Sequence, residues 1–231
     1  MRSTMNKFSL SLRSLKNHRT QLKKGAGAIA LSLVVLTLIS TTVNAQQSLQ
    51  IGLKAGANFF KVGGRSMDTK IQPGFSGGAY GELNFTSHWT LQPELLFNQT
   101  VTQTSDIFNQ IYPGNGVSHA QAINNYVALP VLIVFKPVPE LSILVGPQYG
   151  YLVSQTKGLL YQEPNKGAFS KSDLSLVFGG QLNLGKVKIG ARYSAGLNNI
   201  NGINTSDTWR QYGFQAYLGY QIKDIKLKKK K

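Results

Sequence analysis

The sequence predicts an all-β chain: eight antiparallel strands, closed up-and-down into a barrel that crosses a membrane. Three observations predict it. Apolar and polar residues alternate with period two through residues 49–222, and no long helical period interrupts them. The alternating runs are 12–14 residues long, against the roughly 9–11 that a tilted strand needs to cross a bilayer. The connections between runs alternate between short turns and long polar loops, as in barrels with turns at one membrane face and loops at the other.

The N-terminus comes first. Residues 1–24 carry Arg2, Lys7, Arg13, Lys16, Arg19, Lys23 and Lys24 and no acid; an apolar run over 25–40 and then "TTVNAQQ" follow, with Val43 and Ala45 at the small-residue positions of a cleavage site. This is the layout of a secretory signal, predicting a leader over 1–45 and a mature start at Gln46. The apolar run is short for a transmembrane helix; an uncleaved anchor is the alternative.

Seven of the 25 basic residues lie in that leader, which leaves 18 against 9 acids. A lysine-rich tail, "KDIKLKKKK" (223–231), holds six more lysines and one aspartate. The body between holds 12 basic and 8 acidic residues, a net charge of only +4, so the basic balance reports chiefly two terminal clusters and gives no nucleic-acid partner. Charged residues make up only 15% of the chain and cysteine is absent, which excludes disulfides and thiolate metal sites.

Eight runs follow. The first (49–60) sets Leu49, Ile51, Leu53, Ala55, Ala57 and Phe59 against Gln50, Gly52, Lys54, Gly56 and Asn58. The second (73–85) sets Phe75, Ala79, Leu83 and Phe85 against Ser76, Tyr80, Glu82 and Asn84. The third (89–100) sets Leu91, Leu95 and Phe97 against Gln92, Glu94 and Asn98. The fourth (124–136) is apolar on both faces, so its pattern assigns no side. The fifth (141–154) and sixth (172–184) precede a seventh (186–198) with Lys188, Arg192 and Ser194 on its polar side. The eighth (209–222) sets Phe214, Ala216, Leu218, Tyr220 and Ile222 against Gln211, Gln215, Tyr217 and Gln221.

In a membrane barrel the apolar face meets lipid and the polar face lines the lumen. Pro93, Pro130 and Pro147 lie inside strands and cannot donate to a ladder, so each requires a bulge or a local break. Aromatics near strand ends suit interfacial girdles: Phe85, Trp89, Phe135 and Tyr220 at the short-turn end, and Phe59, Phe97, Tyr151 and Trp209 at the long-loop end. Trp209 has the parity of the polar face.

Five stretches, "IGLKAGANFF", "LQPELLFNQ", "NYVALPVLIVFKP", "LVGPQYGYLVS" and "GARYSAGLNNI", resemble in order the PorT-like outer-membrane β-barrel family of Bacteroidetes-type bacteria. The resemblance covers essentially all of 49–222. It implies an eight-stranded outer-membrane barrel, with envelope or secretion proteins as partners. The chain departs from the usual aromatic finish of such barrels, since strand eight ends "GYQI" before the lysines.

Candidate chemistry lies first in the lumen. Lys54, Glu82, Glu94, Lys188 and Arg192 share the polar face, and eight-stranded barrels are just wide enough inside for side chains. Buried charges pair, so Glu82 and Glu94 are expected to neutralise Lys54 and Arg192 as a polar plug; a proton or ion path is the alternative. The 101–123 loop carries Ile107, Phe108, Ile111 and Tyr112, which either anchor a partner or fold over the barrel mouth.

Catalysis is not expected. His88 and His119 are the histidines of the mature chain, and "SH" adjacency with Asp106 at the far end of the loop falls short of a nucleophile, a base and an orienting group. The isolated Asp68, Asp106, Asp173 and Asp207 form no dense ligand loop, and "GGRSMDTK" lacks phosphate-loop spacing. No cofactor or metal is expected. The chain therefore predicts a non-enzymatic outer-membrane barrel, with outer-membrane lipid around it and a structural or interaction role. A small channel and a periplasmic lipocalin-like carrier of an apolar ligand are the alternatives.

Overall fold

The computed structural model describes residues 48–114, 116–159 and 167–226. The leader at 1–45 lies outside the described residues, as does the end of the tail, 227–231.

Alternation becomes strand wherever it was read. The strands are β1 (Ser48–Gly63), β2 (Gln72–Asn84), β3 (Trp89–Gln103), β4 (Gln121–Val138), β5 (Leu141–Gln155), β6 (Ser172–Leu184), β7 (Val187–Gly196) and β8 (Arg210–Lys226). Each pairs antiparallel with its neighbour, and β8 pairs with β1 to close the barrel. Two-residue connections join β4 to β5 and β6 to β7; the latter uses Gly185 at φ +64°, a conformation glycine adopts without Cβ strain.

The two faces settle the carrier question. Leu53, Phe75, Leu95, Phe178, Phe214 and Leu218 are exposed on the outside, while Lys54, Glu82, Glu94, Gln148, Gln181 and Arg192 are buried within. An apolar exterior over a polar interior is the membrane arrangement, inverted from a soluble carrier. On β4 the buried residues include Ala122, Asn124, Tyr126, Leu132 and Val134, while Ile123, Leu129 and Ile133 face out. Leu132 and Val134 then pack with Leu144 and Val177 as a small apolar patch inside the lumen.

The three prolines interrupt pairing without shifting register. Between β2 and β3, pairing runs from Tyr80↔Glu94 to Leu83↔Leu91 and skips Pro93. Between β3 and β4 it runs from Pro93↔Val131 to Leu96↔Ala128 and skips Pro130. Between β4 and β5 it runs from Pro130↔Gln148 to Ile133↔Val145 and skips Pro147. Each missing N–H falls at a local break.

Bulges occur elsewhere. One lies between Ile51 and Gly52 on the β1–β8 seam, where Gly52 pairs with Gln221 but Ile51 pairs with Lys223. It switches the parity of β8 beyond Ile222, and strand structure continues to Lys226, four residues into the segment read as tail.

Candidate functional site

The lumen is filled at two levels. The lower is an ion-pair network. Lys54 on β1 sits 2.6 Å from Glu94 Oε1 on β3, and Arg192 on β7 places Nη1 2.8 Å from Glu94 Oε2. Gln92 Nε2 donates to the same carboxylate at 2.6 Å. Glu82 accepts from Lys188 and, at 3.3 Å, from Lys136.

All four residues expected in the network are in it, but the partition differs from the expected one. Both Lys54 and Arg192 go to Glu94, and Glu82 takes the two lysines. Strand tilt sets this: Tyr80 pairs with Glu94, so Glu82 lies a layer nearer the short turns, level with β7's Lys188. Lys136 was missed because β4, apolar on both sides, gave no parity to place it.

Four bases meet two carboxylates here, leaving a local positive excess. Tyrosine faces absorb part of it: the Lys54 ammonium lies 4.0 Å from the Tyr217 ring centroid and 5.4 Å from that of Tyr80. The rings fit because the residues beneath them are Gly190 and Gly52, where a Cβ would collide with the phenols. Tyr217 donates onward to Gln181 Oε1 at 3.1 Å, and Gln181 to Asn183 Oδ1 at 2.8 Å. Above them Gln215 donates to Asn58, which donates to the Phe75 and Gln99 carbonyls at 2.9 and 3.1 Å.

The upper level is an aromatic cap. Val62, Met67, Phe108, Tyr112, Phe169, Ile200 and Trp209 belong to one buried cluster with Ala122, Tyr126 and Leu152 of the barrel wall. Trp209 is fully buried at its centre, with ring centroids of Phe169, Tyr112 and Phe108 at 5.1, 6.1 and 6.2 Å. The girdle expected at Trp209 is thereby corrected: its inward parity takes it into the mouth, whereas Phe59, Phe97 and Tyr151 do face outward.

The cap is pinned by Asp207. Ser66 donates both its N–H, at 2.8 Å, and its hydroxyl to Asp207 Oδ2, and Trp209 Nε1 donates to Ser66 Oγ at 2.7 Å. Burial pushes the Asp207 pKa up, but the Ser66 hydroxyl and amide, with the Arg65 amide and the Trp209 indole, outweigh it and hold the carboxyl below its ordinary value.

The four loop residues separate. A short helix, α1 (Phe108–Ile111), sends Phe108 and Tyr112 into the cap, where both are buried. Ile111 packs at its edge, and Ile107 is 39% exposed. As partner anchors Phe108 and Tyr112 are corrected: they close the mouth, and Ile107 remains at the surface.

Histidine geometry follows the sequence reading only in part. The loop folds so that His119 Nε2 lies 3.0 Å from Asp106 Oδ1, yet Ser118 Oγ donates to the Asp106 carbonyl at 3.0 Å and makes no bond to the imidazole. His88 Nδ1 lies 2.9 Å from Ser87 Oγ in an exposed turn, with no carboxylate orienting the ring among the described residues. No group of three or more metal-ligating side chains occurs among the described residues.

The family model described as outer membrane protein beta-barrel domain matches residues 44–202. Among solved structures, Ail, the attachment invasion locus protein of Yersinia pestis, is similar at 12% identity over 77% of this chain and 99% of that one, with a TM-score of 0.42. Neisserial surface protein A is similar at 10% identity over 76% and 97%, with a TM-score of 0.44. OprG from Pseudomonas aeruginosa is similar at 11% identity over 77% and 96%, with a TM-score of 0.42. No curated protein matches the chain.

Proposed function

The chain belongs to the outer membrane protein beta-barrel domain family and resides in the outer membrane; from that premise we propose that it is a sealed, non-enzymatic barrel whose work is done by its loop surface. The observation that carries this is the doubly filled lumen. A buried ion-pair network crosses it from Lys54 and Arg192 to Glu94, and the Trp209 cluster covers it above. A solute crossing the barrel would have to break charge-assisted hydrogen bonds and unpack an aromatic core. What stays accessible is the rim, including Ile107, Arg65, Lys70, Lys157 and Arg210.

The non-enzymatic part rests on the hydroxyl at Ser118 being turned from His119. The finer assignment, a PorT-like barrel with a secretion-associated role, is supported by the five ordered stretches from "IGLKAGANFF" to "GARYSAGLNNI".

Two experiments test this reading. Liposomes holding the refolded protein are expected to exclude small sugars as empty ones do; swelling would overturn the seal. A photo-crosslinker at Ile107, compared with one at lipid-facing Leu218, is expected to capture an envelope protein only at the loop. Equal capture at both positions, or none, would count against an interaction role.

A further inference from the structure

At the base of the cap, above the ion pairs, lies a layer of polar side chains without partners among the described residues. Thr102 Oγ1, Asn124 Oδ1 and Nδ2, Tyr126 Oη, Asp173 Oδ1 and Gln211 Oε1 are all buried and make no hydrogen bond among the described residues. Their residues are at most 7% exposed. A native interior leaves few such atoms, and each calls for an occupant or another explanation.

The fold puts these residues at one height. Asn124 stands between Ala122 and Tyr126 of the cap cluster, Leu152 of that cluster pairs with Tyr126, and Val62 of it pairs with Gln211. Thr102 pairs with Ala122. Asp173 pairs with Gly150, and a Cβ on Gly150 would lie 3.5 Å from both Asp173 Cβ and Tyr126 Cδ1. Below, Gln215 bridges Asn58 and Asn98 as a floor.

Charge decides what fits. Glu82 and Glu94 each hold two bases, whereas Asp173 has no basic partner among the described residues. A buried, uncompensated carboxylate is costly. Five of the unpartnered atoms are oxygens and one is nitrogen. An apolar occupant would leave them all unsatisfied, and an anion would meet Asp173. Water alone would satisfy the hydrogen bonds but bring no counter-charge to Asp173, because the excess bases are held on Glu82 and Glu94 below the Gln215 floor. A divalent ion favours several carboxylates, and Asp173 is the only one in this layer among the described residues.

We propose that this layer binds one alkali-metal cation, with residual water, using Asp173 as its counter-charge and the oxygens of Asn124, Tyr126, Thr102 and Gln211 as neutral donors. The site is independent of the loop-surface role proposed above.

The test refolds the full chain in detergent in sodium, potassium or rubidium chloride, or in N-methylglucamine chloride at equal ionic strength. At least one alkali salt is expected to raise the unfolding temperature by several degrees over N-methylglucamine, and Asp173→Asn to abolish that difference. Crystals grown in rubidium chloride are expected to show an anomalous peak at bonding distance from Asp173; this readout needs no variant to fold. Equal unfolding in all four salts, a salt difference that survives in Asp173→Asn, or the absence of a rubidium peak when rubidium itself raises the unfolding temperature would each overturn the proposal.

Discussion

Arg192 on β7 reaches across the lumen to Glu94 on β3, its Nη1 lying 2.8 Å from Oε2, while Lys54 on β1 holds the other oxygen at 2.6 Å. One carboxylate thus ties three strands that are not neighbours in the sheet order. Removing it strands two buried cations. Glu94→Gln is therefore expected to lower stability by about 3–5 kcal/mol, seen as a fall in the urea midpoint of the refolded barrel. Combining it with Lys54→Met is expected to recover part of the loss, because one unpaired charge then disappears. Additive losses would show that Lys54 and Glu94 are not coupled.

Trp209 carries the cap. Trp209→Ala removes the ring packed on Phe169, Tyr112 and Phe108 and the indole donor to Ser66. The expected cost is about 3–5 kcal/mol, confined to the loops. Limited proteolysis should cut within the long loops of the variant while the barrel keeps its heat-dependent gel mobility. Simultaneous loss of both would mean that cap and barrel unfold together.

Phe108 and Ile107 are neighbours with opposite fates, buried in the cap and exposed at the rim. Ile107→Ser is expected to change stability by less than about 0.5 kcal/mol. Phe108→Ala is expected to behave like Trp209→Ala. The same proteolysis assay, run on the pair, separates the residue that seals the mouth from the one left for contact.

Asp207 gives the cap a pH dependence of definite sign. Its carboxyl is held below the ordinary value in the folded protein. The stability it contributes is therefore complete above the unfolded carboxyl pKa, near about 3.9, and is lost as pH falls through the lower folded value. Loop proteolysis by an acid-active protease should accelerate as pH falls below that range in the unsubstituted chain. In Asp207→Asn it should be faster at neutral pH and flatter with pH. An unchanged profile in the variant would place the pH response elsewhere.

Pro93 sits where the β2–β3 ladder skips a pair without a register shift. Since the chain already accommodates the break, Pro93→Ala is expected to change stability by within about 1 kcal/mol. The urea midpoint measures this. A larger loss would mean that the ring's packing over Gly81, where an added Cβ would lie 3.9 Å from Pro93 Cγ, contributes more than the missing donor removes.

Strand number, order and facing were legible because alternation survives wherever one face meets lipid and the other meets polar lumen. It failed at β4, whose Leu132 and Val134 face inward onto Leu144 and Val177; two apolar faces carry no parity, and Lys136 was lost with them. Trp209 was misplaced although its parity was correct, because a cap built from loops is invisible in strand periodicity. Ser66 and Asp207 lie 141 residues apart, and nothing local marks them as partners. β8 continues past Ile222 to Lys226 with its parity switched at the Ile51–Gly52 bulge, so strict alternation ends where the strand does not. Which base pairs with which acid follows from strand tilt, and composition does not encode it.

Single-channel recording in a planar bilayer asks whether the barrel is closed. The unsubstituted protein, inserted and verified by its heat-dependent mobility, is expected to give a flat baseline in molar salt at either polarity. Trp209→Ala is expected to stay silent as well, because the Glu94 network remains beneath the opened mouth. Stable, reproducible conductance steps from the unsubstituted protein would show that the barrel is open, since they would require a continuous water path through Lys54, Glu94 and Arg192.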